Sequence, residues 1–438
     1  MKSDIVNKPP GSFHAMRFIM ALATPFFPLV YSRLGRLPDL EGTIPPRIMK
    51  ETIDPPKTPS IWLHAVSVGE IEAALPIARR IISEYGADHL LITTNTREGN
   101  SVAIRKLEGL KHIQYFPFDL PHIIRKFLDH FTPSLYICLE TELWPNITHE
   151  LNSRGIPMIL VNARVSDRLN NTYAFLRPLY RWMFLSNKWI SVQTDEDLRR
   201  LKNFAPDLSI AEVTGNTKFD LPNPNLAEKE LNALKKQIGL KDGPVVVFGS
   251  THHGEEEIVA DVFNSLKEKY PKIAMILAPR HIERSDDVAK ILQERGIKFN
   301  RRTDTLKGTI ANKNADCLLL DTVGELTMMY TLGRMAYVGG SLTKRGGHNL
   351  LEPAAAGVPV IHGPHMDNFR VITSFLHNAG AAIQVENQDE LEKCISELLT
   401  DDTRINEMRK KALDAYSAGK GATEKIMAKV RELMREGS

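Results

Sequence analysis

The stretch GGSLTKRGGHNLLEPAAAGVPVIHGP, residues 339–364, decides the fold class. The apolar runs at 335–338 and 358–361 are each typical of a buried strand. Between them, the pair Gly346-Gly347 leads into a short predicted helix that spans 349–356 and is stopped by the next glycine. A glycine-rich turn before a helix presents unpaired backbone N–H groups, which attract phosphate. The stretch therefore predicts an α/β unit with a phosphate-binding turn.

Glu352 lies in the first turn of that predicted helix. Its carboxylate can accept two hydrogen bonds from a ribose diol. An acidic residue at this position also suits the helix dipole without any ligand. The glycines can likewise serve only to shape tight turns. On the residues alone, both interpretations stay open.

Length and composition predict a soluble protein with two domains. The chain has 438 residues, which is more than one hydrophobic core usually supports. Its hydrophobic content of 42% and charged content of 25% are ordinary for a globular protein. A net charge of +3 is too small to indicate binding to nucleic acid. Cys138, Cys317 and Cys394 are far apart and lack metal-ligand spacing, which indicates small core residues in a reducing compartment.

Residues 1–37 are predicted to form a membrane anchor. The uncharged stretch 18–32 is too short for a spanning helix, which needs about 20 residues, so a shallow anchor in the membrane surface is expected. The anchor would place Arg17, Arg33 and Arg36 at the headgroups and Phe13, Phe18, Phe26, Phe27 and Tyr31 at the acyl boundary. A helix packed on the protein's own body is the alternative. Residues 38–60 are predicted to be a proline-rich linker.

Strands and helices alternate between residues 61 and 220, which predicts a mostly parallel sheet with helices on both faces. The predicted strands are at 61–66, 90–94, 113–116, 134–139, 157–161, 189–192 and 212–214. Ligands of such sheets bind outside the carboxyl ends of the strands. Glu70, Glu140 and Lys218 all follow strands, so they are expected to share one rim. Polar residues at these positions also cap helices, so any one of them taken singly is more often structural.

Residues 221–404 repeat the same alternation after a short linker at 221–225. Strands are predicted at 245–248, 273–277 and 317–320, followed by the two strands of the opening stretch. Two doubly wound Rossmann-like domains facing across a cleft are the GT-B layout of many glycosyltransferases. The adjacent pair His252-His253 does not predict a metal site, since neighbouring histidines do not easily bind one ion and no carboxylate pair accompanies them. Residues 405–438 are predicted to be a basic helix.

Seven motifs carry a resemblance to one family. They are IWLHAVSVGE (61–70), LETELWP (139–145), NARVS (162–166), VTGNTKFD (213–220), APRHIER (278–284), DTVGEL (321–326) and GGHNLLEPAAAGVPVIHGPH (346–365). In sequence, order and spacing they resemble the 3-deoxy-D-manno-octulosonic acid (Kdo) transferases of lipopolysaccharide biosynthesis. The resemblance covers nearly the whole chain after the linker.

The resemblance implies an inverting glycosyltransferase of the GT-B fold. Such enzymes move Kdo from CMP-Kdo to a hydroxyl of the tetraacylated lipid A precursor, lipid IVA, on the cytoplasmic face of the inner membrane. The expected partners are therefore CMP-Kdo, the lipid A precursor and the membrane surface, with no nucleic acid. No cofactor and no metal are expected.

The resemblance also implies roles for particular residues. Glu70 corresponds to the general base, and Glu140 and Lys218 correspond to residues that assist at the transition state. The CMP contacts fall on Pro279, Arg280, Val323, Gly324, Glu325, Asn349, Leu350, Leu351 and Glu352. Some members of the family read NPLEA where this chain reads NLLEP, so the proline is shifted while the glutamate keeps its place. For Glu70, the dipole of the helix that it begins lowers the pKa, whereas burial would raise it.

Three other functions fit the same layout. A nucleotide-sugar 2-epimerase would need neither an acceptor nor a membrane, and the anchor and the SVGE motif argue against it. A UDP-sugar transferase would prefer a uracil nucleotide, and a non-catalytic lipid-binding scaffold would not need Glu70 or Arg280. Binding of NAD is not indicated, because no G-x-G-x-x-G motif follows a strand.

Overall fold

In the described residues, short apolar runs form two separate parallel sheets of seven strands each. Two parallel sheets are what the alternating pattern predicts, although only five strands are predicted for the second. The computed structural model describes residues 8–23, 31, 40–165, 176–206, 208–221, 224 and 226–436. The chain divides into two units, Met1–Leu221 with Gly419–Ser438 (unit 1) and Pro222–Ala418 (unit 2).

The sheet of unit 1 has the order β3-β2-β1-β4-β5-β6-β7, and every neighbouring pair is parallel. Its strands are β1 Ile61–His64, β2 Leu90–Thr94, β3 Ile113–Tyr115, β4 Leu135–Leu139, β5 Met158–Ala163, β6 Trp189–Val192 and β7 Ala211–Val213. The helices of this part are α1 Gly11–Ala23, α2 Ile44–Arg47, α3 Val68–Tyr85, α4 Arg97–Lys106, α5 Pro121–Phe131, α6 Pro145–Ser153, α7 Arg177–Leu185 and α8 Asp195–Phe204.

Both faces of this sheet are covered. Successive side chains of a strand point to opposite faces, and β1 shows the consequence. Ile61 and Leu63 belong to one hydrophobic cluster with α3, whereas Trp62 belongs to another with α5. Coverage on both sides explains why the strands read as continuous apolar runs rather than as alternating ones.

Unit 2 contains the second sheet, with the order β10-β11-β9-β8-β12-β13-β14. Its strands are β8 Val245–Thr251, β9 Ala274–Pro279, β10 Phe299–Arg301, β11 Cys317–Leu319, β12 Met335–Val338, β13 Val360–His362 and β14 Ala382–Gln384. Its helices are α9 Glu228–Ile238, α10 Glu255–Lys269, α11 Ser285–Glu294, α12 Arg302–Leu306, α13 Leu326–Tyr330, α14 Leu351–Ala355, α15 Arg370–Asn378, α16 Gln388–Thr400 and α17 Asp402–Ala418. The edge strands β10 and β14 have three residues each and were not predicted.

The C-terminal segment differs from the single helix expected at 405–438. The chain ends α17 at Ala418 and begins a second helix, α18 Ala422–Glu436, which belongs to unit 1. Apolar residues of α18, including Ile426 and Val430, join the cluster beneath α3. On the surface, Arg431 lies 2.8 Å from a carboxylate oxygen of Glu84. The end of the chain is therefore part of the body of unit 1.

Three N-terminal residues predicted to contact the membrane, Phe13, Arg17 and Tyr31, pack against the protein instead. Phe13 is fully buried, with its ring 5.1 Å from that of Trp182, so it does not face a membrane. Tyr31 stacks on Phe118 at 5.2 Å, and Arg17 lies 3.8 Å from a carboxylate oxygen of Glu150. Tyr31 and Arg17 therefore contact side chains of unit 1. Phe26, Phe27, Arg33 and Arg36 lie outside the described residues.

Two apolar side chains of α1 do face outward. Phe18 and Ile19 are 67% and 66% exposed. Among the described helices, none is at once long enough and apolar enough to cross a membrane.

The predicted linker at 38–60 is packed onto unit 1 over its described part. Backbone carbonyls of this segment accept hydrogen bonds from side chains of α5 and from His112, the residue before β3. Lys126 donates to Met49, and ring nitrogens of His112 and His130 lie 3.0 and 2.9 Å from the carbonyl oxygens of Asp54 and Ile53.

Candidate active site

Glu70 lies in the first turn of α3, just beyond the carboxyl end of β1. One carboxylate oxygen accepts a hydrogen bond from the backbone N–H of Val66 at 2.8 Å, and the other lies 3.4 Å from the hydroxyl of Ser67. Only 9% of the residue is exposed. The first turn of α3 thus holds a carboxylate that is largely removed from water.

The environment of Glu70 raises its pKa to about 8. Burial is the largest cause, because an ionised carboxylate loses hydration, and the negative charges of Glu140 and Glu142 add to it. The hydrogen bonds from Val66 and Ser67 act in the opposite direction. Lowering by the helix dipole is therefore outweighed, and Glu70 is a stronger base than an exposed glutamate.

Glu140 follows β4, the strand next to β1, and its charge acts on Glu70. Its backbone is in the left-handed region, with φ of 55°, while its N–H donates to the carbonyl of Val161 at 2.9 Å. This conformation costs a non-glycine residue roughly 1 kcal/mol or more. Such backbone strain clusters at functional sites, and here it turns the chain sharply at the strand end.

Lys218 lies in a single 3-10 turn, Thr217–Asp220. The hydroxyl of Thr217 donates to the carbonyl of Ala73 in α3 at 2.7 Å, which ties this turn to the helix that carries Glu70. The Lys218 amine lies 3.9 Å from where a Cβ of Gly69 would stand. Glu70, Glu140 and Lys218 therefore lie at the same end of the unit 1 sheet.

Several polar residues at this end were not singled out from the sequence. Glu142 has its pKa raised by burial, and its charge raises that of Glu70. The side-chain oxygen of Asn162 accepts the N–H of Thr217 at 3.1 Å, and its carbonyl accepts from Gln193 at 3.0 Å. Asn216 donates to Gln193 and accepts the N–H of Lys218, each at 3.0 Å. These amides fix the turn that carries Lys218.

In unit 2, the backbone N–H groups of the turn directly after β12 are bonded within the protein. The fully buried carboxylate of Glu255 accepts hydrogen bonds from the backbone N–H groups of Gly340, Ser341 and Leu342 at 2.7, 3.1 and 3.0 Å. It also accepts from the hydroxyl of Tyr337 at 2.9 Å. The carboxylate takes the place that a phosphate would take. The turn predicted to bind phosphate, Gly346-Gly347 before α14, is a different part of this loop, and its role stays a prediction.

The residues predicted to contact the donor lie around the same end of the unit 2 sheet. Pro279 ends β9, and Arg280 follows with an exposed side chain. Val323 is 51% exposed and Gly324 has φ of 91°, so these two form an open turn. The carboxylate of Glu325, by contrast, is bound by Arg302 at 2.7 Å.

Helix α14 begins at Leu351, two residues later than predicted. The side-chain oxygen of Asn349 accepts the N–H of Leu351 at 3.1 Å. Leu350 and Leu351 have buried side chains, so only their backbone can meet a ligand. Glu352 accepts a hydrogen bond from the hydroxyl of Thr327 at 2.9 Å.

Comparison with known proteins identifies the family. Residues 33–221 match the family model of 3-deoxy-D-manno-octulosonic-acid transferase (kdotransferase). The chain is 33% identical over 373 residues to a 3-deoxy-D-manno-octulosonic acid transferase of Haemophilus influenzae, which covers 85% of this chain and 86% of that protein. A second such transferase, from Bordetella pertussis, is 32% identical over 85% of this chain and 87% of its own length. The chain belongs to the Kdo transferase family.

This Kdo transferase is thus a glycosyltransferase of lipopolysaccharide biosynthesis, and the family predicted from the motifs is confirmed. Its fold is shared more widely. UDP-GlcNAc 2-epimerase from Neisseria meningitidis aligns over 85% of this chain and all of its own, with a TM-score of 0.57 and 14% identity. Identity this low shows a common GT-B-like fold and nothing of activity. The roles predicted for individual residues of the Kdo transferase stay predictions.

Proposed function

We propose that this Kdo transferase moves Kdo from CMP-Kdo to a hydroxyl of the lipid A precursor lipid IVA, with inversion at the anomeric carbon. The observation that carries the proposal is the Glu70 carboxylate, which is buried, hydrogen-bonded and raised in pKa to about 8. Glycosyl transfer to an alcohol needs a base for the hydroxyl proton, and a base works best when its pKa lies near the working pH.

In the proposed step, the acceptor hydroxyl oxygen bonds to the anomeric carbon of Kdo while Glu70 takes the hydroxyl proton. The bond between that carbon and the CMP phosphate breaks, and its electron pair leaves on the phosphate. A single displacement of this kind inverts the anomeric centre. Burial and the charge of Glu140 both raise the pKa of Glu70. The ionised carboxylate therefore accepts a proton more readily than an exposed glutamate does.

Lys218 and Glu140 are proposed to assist at the transition state. The Lys218 amine lies beside Gly69, one residue from Glu70, where its positive charge can stabilise developing negative charge. Glu140 acts on Glu70 by repulsion between like charges, which keeps the base strong. Glu140 directly follows β4, and the turn that carries Lys218 is tied to α3 by the hydrogen bond from the Thr217 hydroxyl to the carbonyl of Ala73.

We further propose that the reaction needs no metal ion. The exposed guanidinium of Arg280 lies in the family's donor motif and can stabilise the departing phosphate by charge-assisted hydrogen bonds. Full activity in excess EDTA is the expected result. Loss of activity in EDTA, with recovery on adding a divalent cation, would count against the proposal.

The acceptor is proposed to reach the enzyme from the cytoplasmic face of the inner membrane. Phe18 and Ile19 on α1 are exposed and apolar, as an interfacial contact requires. Replacing both by serine should weaken binding to anionic vesicles by about tenfold or more, since each loses buried apolar area. Ile104→Ser, which removes a 57% exposed apolar side chain from α4, is the matched control and should leave vesicle binding unchanged. Equal binding of both variants would contradict this placement.

The direct test of function uses purified protein, CMP-Kdo and lipid IVA, with the products weighed by mass spectrometry. A mass increase of one or more Kdo residues is expected. Glu70→Gln should lose on the order of 10²–10⁴-fold in kcat, the usual value of positioned acid–base help. Near-normal turnover by that variant would remove Glu70 from the role. Thermal melts with CMP and UDP test the nucleotide, and stronger protection by UDP would contradict the proposed donor.

A further inference from the structure

Positive side chains and imidazoles converge at the carboxyl end of three adjacent strands of unit 2. His252 follows β8, Arg280 follows β9, and Arg345 and His348 lie in the loop after β12. The two guanidinium charges both lower the pKa of His252, and that of Arg280 also lowers the pKa of His348. These four groups are therefore close in space. Arg280 and Arg345 are both exposed, and neither forms an ion pair with a carboxylate of the described residues.

The two histidines form a hydrogen-bonded pair. Their Nε2 atoms are 2.7 Å apart, and the rings are nearly parallel, at 5°. A hydrogen bond between two imidazole nitrogens requires a proton on one and a lone pair on the other. Burial lowers the pKa of His348 to about 3, with Arg280 and His281 adding to the effect. The pair is thus neutral at physiological pH while the arginines beside it have no counter-charge.

The negative charge nearest to the pair is already in use. Glu255 raises the pKa of His252, against the larger effect of burial and against His281 and both arginines. Its carboxylate, however, is fully buried and accepts the backbone N–H groups of the glycine-rich turn. It cannot also neutralise exposed guanidinium groups. Arg280 and Arg345 are therefore both available to a bound anion.

We propose that Arg280, Arg345 and the His252–His348 pair form one binding site for an acidic group of the donor, and that the pair gains a proton when the anion binds. The ligand class rests on the proposed function, in which the donor carries a phosphate and a carboxylate. An anion placed beside an imidazole favours its charged form, so the proton comes from solvent on binding. The sequence already pointed to Arg280, and to Arg345 and His348 in the glycine-rich loop, as donor contacts; the structure adds the pairing of His348 with His252.

The test is calorimetric titration of the full-length protein with CMP, cytidine and free Kdo in turn. Titrations with CMP in two buffers of different ionisation enthalpy measure proton uptake. If the phosphate is the bound group, Arg345→Gln should weaken CMP binding by about 10- to 100-fold, the usual value of a charge-assisted hydrogen bond, and leave cytidine unchanged. If the carboxylate is the bound group, the same variant weakens free Kdo instead. Lys344→Gln removes an exposed charge of the same sign one residue away and should change neither.

His348→Asn tests the pair itself. On binding the ligand that carries the bound acidic group, CMP or free Kdo, wild-type protein should take up more protons than this variant. The difference should be larger at pH 6.5 than at pH 8. Arg345→Gln, on an exposed side chain, keeps the test valid if the histidine variant folds poorly. If both variants bind CMP and free Kdo with wild-type affinity and wild-type proton uptake, the inference is overturned while the proposed function stands. Failure of wild-type protein to bind CMP would overturn the proposed donor, and the site with it.

Discussion

Replacing Glu70 by glutamine is expected to stabilise unit 1 while it removes activity. The folded-state pKa of about 8 lies above the ordinary pKa of 4.5, so the folded state holds a proton that the unfolded state releases between those pH values. The contribution of Glu70 to stability is therefore greatest below pH 4.5 and is lost as the pH rises through this window. Glutamine carries no charge at any pH, so the Glu70→Gln protein does not lose this stability as the pH rises.

The size of the effect follows from the same shift. Each pKa unit corresponds to about 1.4 kcal/mol, so the loss is roughly 3 kcal/mol at pH 7 and roughly 5 kcal/mol above pH 8, as upper limits. The glutamine oxygen can keep the hydrogen bond from Val66, which Glu70 accepts at 2.8 Å. At pH 5 the variant and the wild type should differ by less than about 1 kcal/mol.

Urea unfolding followed by tryptophan fluorescence measures this difference in unit 1 alone. All four tryptophans, Trp62, Trp144, Trp182 and Trp189, belong to unit 1. With a slope of about 3 kcal/mol per M urea, a gain of roughly 3 kcal/mol moves the midpoint upward by about 1 M at pH 7.

Glu72→Gln is the matched control for this experiment. Glu72 lies two residues further along α3, and its carboxylate pairs with Lys106 at 2.6 Å near the surface. Its loss should change stability by at most about 1 kcal/mol. A Glu70→Gln protein that is less stable than wild type at pH 8, or whose stability difference does not grow between pH 5 and pH 8, would refute the reasoning.

Three further predictions concern the supports of the site. Glu140→Gln removes a like charge beside Glu70, so the pH–rate profile should move to lower pH; an unmoved profile would show that the two carboxylates do not interact. Asp220→Asn weakens the hydrogen bonds that its carboxylate accepts from Gly421 and Thr423 at 2.7 and 2.6 Å. The change should cost about 1–3 kcal/mol of stability and speed hydrogen exchange in α18. Unchanged exchange would contradict this attachment of α18. Glu255→Gln replaces one carboxylate oxygen, which accepts backbone N–H groups, by an NH₂ group that can only donate. This should lower the stability of the protein by on the order of 3 kcal/mol. A melting temperature equal to that of wild type would refute the assigned contact.

The sequence predicts the gathering of Glu70, Glu140 and Lys218 because of a simple geometric rule. Parallel strands end at one edge of a sheet, so residues that follow different strands come together there. The same rule correctly predicts that Arg280 and the glycine-rich loop share an edge. It needs only the alternation of strands and helices, which apolar periodicity makes visible.

The electrostatics and the long-range contacts are not predictable in this way. The sign of the Glu70 pKa shift depends on burial by side chains from other elements, and the helix dipole alone suggests the opposite. The contact of Glu255 with Gly340 joins residues 85 apart in sequence, and that of Asp220 with Gly421 joins residues 201 apart. No local pattern records such pairs. The N-terminal aromatic residues fail for the same reason, since Phe13 finds its partner Trp182 in a distant helix.

The central claim is that the Glu70 carboxylate takes the proton of the acceptor hydroxyl. Its most direct test is the single-turnover rate of Kdo transfer from CMP-Kdo to lipid IVA, measured between pH 6 and pH 9.5 for wild type and Glu70→Gln. The wild-type rate should rise with pH and level off above about 8, where Glu70 is ionised, while the variant is slow and shows no such rise. A rise with the same midpoint in the variant, or a wild-type rate already level at pH 6, would contradict the claim.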